Sequence, residues 1–379
     1  MRKSQKYLTL QLADNRKSDY RAEKYCRLER FQIEKYCQSA RFCYLCTVKW
    51  ISNDYVGAQI DKKKTVLMLS RRLLRVKVVK AIYAHLQTES DNIPQTEKNL
   101  IISIDKAYDL YFHILSLLPE LVNYAEARQE IARNKMLPTY EDLNPNRKFV
   151  ENRAIERIAT CDAIADYCSK KSLSWRDNAD LIKNIYNSLT EQTFFKSYMS
   201  NSSRSFKEDA EFAANIFLNI LEMNEQLEDV LEGQSIYWVD DLGYILTMAA
   251  RTMTSMRESH EQIKLLPKFK SDEDLDFVKR LLRESIIHFS DYRELIDSHT
   301  NNWDIERLAL MDNVILAVAV AEAKNFASIP VKVTMNEYID IAKYYSTPAS
   351  STFINGVLDK IVTRGVEEGW IFKTGKGLL

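Results

Sequence analysis

Glycine and proline are scarce, at 8 and 7 in 379 residues. So few turn residues exclude a fold built on many β-hairpins, which need backbone conformations that those residues supply. No run of about 18 apolar residues is present, and the apolar run 314–321 is too short to span a bilayer. The N-terminus lacks the apolar region of a secretory signal, so the expected compartment is cytoplasmic, with the six cysteines as reduced thiols. The five histidines stand at no motif spacing from a Cys or Asp partner, and no phosphate loop, Gly-x-Gly-x-x-Gly, Gly-x-Ser-x-Gly or His-Glu-x-x-His occurs. His85 and His113 lie in apolar helical stretches and are expected as partnered structural residues. Carboxylate pairs such as Asp240-Asp241 fall near helix starts, where the dipole accounts for them. The expectation is a protein that is not an enzyme and holds neither cofactor nor metal.

What is present is helix-forming. Leu, Ala, Glu, Lys and Arg are abundant, and the expected class is all-α, a multi-helix bundle. Net charge is zero but unevenly spread: residues 1–67 hold 15 Lys and Arg against 7 Asp and Glu, which leaves an acidic body. Any nucleic-acid contact by such a body is a local patch. Residues 1–67 show no sustained periodicity and read as a disordered basic leader. Cys26, Cys37, Cys43 and Cys46 lie there, and Cys43-Tyr-Leu-Cys46 has the spacing of one zinc knuckle. No second pair follows, so no zinc site is expected.

Ser70 is placed to cap a helix whose Val76, Val79, Ile82, Tyr83 and Leu86 form a core face. Arg71, Arg72 and Arg75 crowd its first turn, where cations oppose the helix dipole. Further helices are expected over 95–133, broken near Pro119, then over 150–170 and 177–192, with a loop at 137–146. Two segments are alike at an offset of 65 residues: Glu208-Asp209-x-Glu211-Phe212 with Trp238, and Glu273-Asp274-x-Asp276-Phe277 with Trp303. Each is followed by an apolar helix, the pattern of a partial internal duplication of a helix–turn–helix unit. Near the C-terminus, Thr334 and Glu337 read as a capping box, with a helix stop near Pro348. Ser350 or Ser351 then caps a second helix with the stripe Phe353, Ile354, Val357, Leu358, Ile361 and Val362. The tail 364–379, with four glycines, is expected to fray past Phe372.

The strings Ile329-Pro-Val-Lys-Val, Asn336-Glu337, Ala342-Lys343, Ser350 and Phe353-Ile-Asn-Gly-Val-Leu-Asp-Lys360 resemble the C-terminal signature of the NusB family of transcription antitermination factors. The segment from Trp303 through Glu322 resembles the helix preceding it, and the basic helix matches the family's Arg-Arg-x-x-Arg start. The resemblance implies recognition of boxA-like RNA in ribosomal RNA transcripts, jointly with the ribosomal protein NusE, in the RNA polymerase antitermination complex. RNA contacts are implied for Arg71, Arg72, Arg75, Ser350, Phe353 and Asn355, and a NusE face for Tyr83 and Asp312. Ala349 stands where the family often has an acidic residue. The resemblance also implies a natural start at Met68, because similar proteins begin with the basic helix.

The expected domains are 1–67, the leader; 68–205, the basic helix and an extra helical region; 206–363, the NusB-like module; and 364–379, a flexible tail. Two alternatives remain open: a helical protein-interaction scaffold with a decayed RNA surface, or an RNA-docking module related to ribosomal RNA methyltransferases. The methyltransferase reading needs a Gly-rich cofactor domain and a Pro-Cys nucleophile, which are missing. A homodimer is open as well, since an apolar patch in 95–207 reads equally as core or as a dimer face.

Overall fold

The computed structural model describes residues 69–260, 262–269, 271–300, 308–347 and 349–378. The expectations for the leader and its cysteines, Met68, Trp303 and Pro348 concern residues outside that set. Among the described residues there is no strand. The helices are α1 (Arg71–Gln87), α2 (Ile93–Arg133), α3 (Tyr140–Leu143), α4 (Arg153–Ala159), α5 (Asp162–Lys171), α6 (Ala179–Glu191), α7 (Thr193–Ser200) and α8 (Phe206–Ile216). There follow α9 (Glu225–Gln234), α10 (Leu242–Ser255), α11 (Asp272–Ile287), α12 (Phe289–His299), α13 (Leu310–Asn325), α14 (Val331–Tyr345) and α15 (Ser350–Glu367).

Two compact units share the chain, one of residues 71–102 with 271–378, the other of 103–269. They are discontinuous in sequence: the basic helix α1 joins the C-terminal helices, and the boundary expected at residue 205 lies inside the second unit. Helix α2 belongs to both and continues through Pro119 without a break. Proline removes one N–H from the ladder, and burial of Leu115, Leu117, Leu118 and Leu121 around it holds the helix together.

The first unit is built on α13. Residues 311–323 are all buried, and α1, α11, α12, α14 and α15 pack around this helix. A helix apolar on every side belongs at the centre of a bundle, which accounts for the apolar run 314–321. The C-terminal segment is docked, not frayed. Lys373 Nζ donates to the carbonyls of Ala323 and Phe326 at 2.8 and 3.1 Å, closing the end of α13, and Thr374 N–H donates to Ala327 O at 3.0 Å. Gly377 is buried beside Ala327, whose carbonyl oxygen would lie 2.0 Å from an added Cβ. An ammonium on carbonyls at a helix C-terminus favours the helix dipole. Lys373→Ala should therefore cost about 1–2 kcal/mol. A urea midpoint equal to wild type would show that the tail adds nothing.

The second unit is aromatic-rich. His113 stacks on Trp175 at 3.9 Å, while Trp175 Nε1–H donates to His113 O at 2.9 Å. Phe149, Phe195, Tyr198 and Phe212 cluster where α8 meets α4 and α7. The helix expected over 150–170 is two, α4 and α5, divided at Thr160 and Cys161. Asn152 caps α4 by accepting from the Ala154 and Ile155 N–H groups.

The likeness at an offset of 65 residues recurs in three dimensions. Asp209 and Asp274 are both buried in the first turn of a helix, α8 or α11. Each accepts from an arginine that begins another helix: Arg153 of α4 at 3.4 Å and Arg71 of α1 at 3.0 Å. In both units the arginine-led helix packs on the aspartate helix, and the latter on the apolar helix after it, α10 or α13. The repeated pattern thus includes an arginine-led helix that the sequence comparison leaves out.

Candidate nucleic-acid interface

Each of the three arginines of α1 meets a carboxylate: Arg75 is buried, Arg72 nearly so, and Arg71 stays partly exposed. Arg71 Nε donates to Asp274 and its guanidinium lies 5.2 Å from the Phe277 ring centre. Arg72 forms a fork with both Glu337 oxygens, at 2.9 and 3.0 Å, and reaches Asp340 at 3.5 Å. Arg75 is buried, with Nε and an amino group on the two oxygens of the fully buried Glu322 at 2.7 and 2.9 Å. Burial by itself disfavours the Arg75 charge, but Glu322 outweighs it and raises the arginine above its ordinary value. Arg75 is therefore a core ion pair, contrary to a role as a phosphate contact. The dipole argument that singles out these cations is answered inside the chain: carboxylates of α11, α13 and α14 face them.

Glu322 also accepts from Thr334 Oγ1 at 2.8 Å and from Tyr338 Oη at 3.0 Å. This overturns the Thr334 capping box. Helix α14 begins a turn earlier, at Val331 after Pro330, and the buried carboxylate captures the threonine hydroxyl. Tyr338 is fully buried; desolvation, then the Glu322 charge, push its hydroxyl pKa well above the usual range.

The turn between α14 and α15 is held by a second buried carboxylate. Asp312 accepts from Ser350 Oγ at 2.8 Å and from Ser346 Oγ, and Thr347 Oγ1 lies 2.7 Å from Ser350 Oγ. Burial raises the Asp312 pKa, and the two hydroxyls partly hold it down. Ser350 stands at the first residue of α15 as a ligand of Asp312 and does not cap the helix. Ser350 and Asp312 are buried and hold the hairpin in shape; Tyr83 is buried on α1. Phe353 is half-buried and Asn355 is exposed on the first turns of α15.

Lys80 of α1 reaches this turn. Its Nζ lies 4.9 Å from the ring centre of Tyr345, the last residue of α14, because α1 runs beside α14 with Arg72 at Glu337 and Lys80 at Tyr345. Lys80 is nine residues from Arg71, about 13 Å along the helix. Sequence reasoning missed Lys80, Tyr345 and Glu322. The available signal was that Arg72, Arg75 and Lys80 fall on one side of a helix at intervals of three and five residues. Among the described residues no group of three His, Cys, Asp or Glu side chains forms a metal site, and no helix is long and apolar enough to cross a membrane.

A central apolar helix wrapped by amphipathic ones and closed by a helical hairpin defines the molecule as an all-α helical-bundle protein. Comparison with known proteins specifies it further. A family model described as NusB family matches residues 245–363. The transcription antitermination protein NusB of Salinibacter ruber is 38% identical over 125 residues, covering 32% of this chain and 78% of the relative. That of Clostridium botulinum is 38% identical over 124 residues, 32% of this chain and 86% of the relative. That of Chloroherpeton thalassium is 36% identical over 104 residues, 27% of this chain and 49% of the relative. The chain belongs to the NusB family. No solved structure gives a significant match.

Proposed function

We propose that this chain is an RNA-binding transcription antitermination factor. It takes up single-stranded, boxA-like RNA of ribosomal RNA transcripts together with the ribosomal protein NusE, within the RNA polymerase antitermination complex. Membership of the NusB family supports the general activity, since the relatives are named transcription antitermination proteins. The observation that carries the RNA surface is the Lys80 ammonium over the Tyr345 ring at the end of α14, with half-buried Phe353 and exposed Asn355 on the first turns of α15 that follow it in the chain. A single strand is held by a cation on phosphate, an aromatic face for a base and an amide for its edge, and these side chains supply all three. Arg71, partly exposed, and Arg72 extend the cationic edge, each in competition with its carboxylate partner. Ser350 positions Phe353 and Asn355. Tyr83 and Asp312, being buried, shape the NusE face from beneath instead of touching the partner.

Titration of the full chain with a boxA RNA oligonucleotide, with and without NusE, tests this. NusE should tighten binding. Lys80→Ala should weaken it and lower the salt slope by about one, and Tyr345→Ala should cost about 1–3 kcal/mol of stacking. The in-chain pairing of Arg71, Arg72 and Arg75 favours one other reading, a protein-binding scaffold whose RNA surface has decayed. If wild type ignores RNA at low salt with NusE present but still binds NusE, the scaffold reading replaces the RNA-binding one.

A further inference from the structure

The second unit carries a cluster of apolar side chains standing in solvent. Ile131 at the end of α2, Met136 and Leu137 after it, and Tyr140 and Leu143 on α3 are between 50 and 97% exposed. Solvated apolar side chains in a slack loop would collapse onto the surface, but this segment is braced. Thr139 and Asp142 form a reciprocal capping box at the start of α3, Lys135 pairs with Asp142 at 2.9 Å, and Asn144 donates to Tyr140 O at 3.0 Å. The result is a rigid apolar knob.

A groove of about 680 Å³ opens on the same unit, with Pro119, Val122, Val150, Ile155 and Ala159 among its walls. Asn123 lies at its edge on α2, and Asn123, Ala127 and Ile131 follow at intervals of four residues, all exposed. Such a row is the ridge by which helices most often interlock, and here it joins groove to knob with a small residue between them. Asn123 and Ile131 are about 12 Å apart along the axis, with Ala127 midway.

We propose that this face binds a second copy of the chain about a two-fold axis at Ala127, each knob entering the groove of the other. A two-fold interface requires one patch to be complementary to itself, and here one edge of the groove, Asn123, and one edge of the knob, Ile131, stand four residues either side of Ala127. Size agrees: taking on the order of 180 Å² for a whole large side chain, the five knob residues expose roughly 700 Å², close to the ~800 Å² per partner of a standard interface. Charge argues against a nucleic acid here. Arg133 pairs with Glu130, Arg147 with Glu126, Arg204 with Glu151, and Arg153 with Glu258 and Asp209. These arginines are thus each engaged by carboxylates of the same chain, which leaves little positive field for phosphates and little like-charge repulsion between two copies.

Sedimentation velocity on the full chain over a series from low to high micromolar concentration tests the proposal. Wild type should show a monomer–dimer equilibrium. Two variants at exposed positions, Ala127→Arg and the triple Met136→Ser, Leu137→Ser, Tyr140→Ser, should each raise the dimer Kd about tenfold or more, with circular dichroism unchanged. Ala127→Cys should oxidise to a disulfide between the two copies, identified as a 127–127 cross-linked peptide. A wild type that stays monomeric throughout, or a dimer whose Kd neither variant alters, overturns it.

Discussion

Replacing Arg75 with alanine is expected to destabilise the protein by about 3–5 kcal/mol, a large part of the stability of an ordinary domain. The Glu322 carboxylate has no exposure to water and takes four hydrogen bonds, two from Arg75 and one each from Thr334 and Tyr338. Without the guanidinium, two of its acceptor sites face a cavity and its charge loses its counter-ion. The loss joins three helices, since Arg75 is on α1, Glu322 on α13, and Thr334 and Tyr338 on α14. Urea unfolding measures the effect, and a double-mutant cycle gives it direction. Arg75→Met with Glu322→Leu together should be less damaging than either single change, because an apolar pair leaves no stranded charge. An Arg75→Ala loss below about 1 kcal/mol would mean that water or a neighbour replaces the guanidinium, and the pair would then not be a buried one.

A pH dependence of similar size is expected from His113. Burial is the main cause that lowers its pKa from 6.5 to about 4, with the Gln234 hydrogen bond opposing it weakly. Between those values the unfolded chain binds a proton that the folded chain refuses, so acid favours unfolding. The contribution is fully present above pH 6.5 and is lost as the pH falls towards 4, by roughly 3 kcal/mol in all. His113→Phe keeps a ring against Trp175, gives up the bond to Gln234 and cannot titrate. Stability of that variant should fall less steeply from pH 7 to 4, even where it starts lower. Parallel slopes for wild type and variant would assign the acid sensitivity to other groups.

These two sites mark where reading along the chain succeeds and where it stops. His113 was legible as a buried, partnered histidine from the apolar residues around it, but Trp175 and Gln234, which fix its state, lie 62 and 121 residues away. Arg75 was legible as an anomaly, a cation in the wrong turn of a helix. Its partner is 247 residues on, so a local rule assigned it to RNA when a distant carboxylate holds it. Thr334 fails in the same way, since its spacing to Glu337 is that of a capping box, yet a hydrogen bond to a buried carboxylate outweighs one to a helix end in water.

By itself the sequence determined what depends on neighbours three or four residues away and on composition. It set the helical class, the faces of α1 and α15, the hairpin, the 65-residue likeness and, through its C-terminal strings, the family. Tertiary structure decided what depends on charge burial and on contacts between distant segments. It paired three surface-seeming arginines with carboxylates and buried one of them, made Asp312 and Ser350 the clasp of a turn, docked the tail on α13, and brought Lys80 to Tyr345. The physical reason is the same in each case. A side chain's periodicity tells which way it points, but the desolvation and pairing that fix its role come from whichever helix the fold sets opposite it.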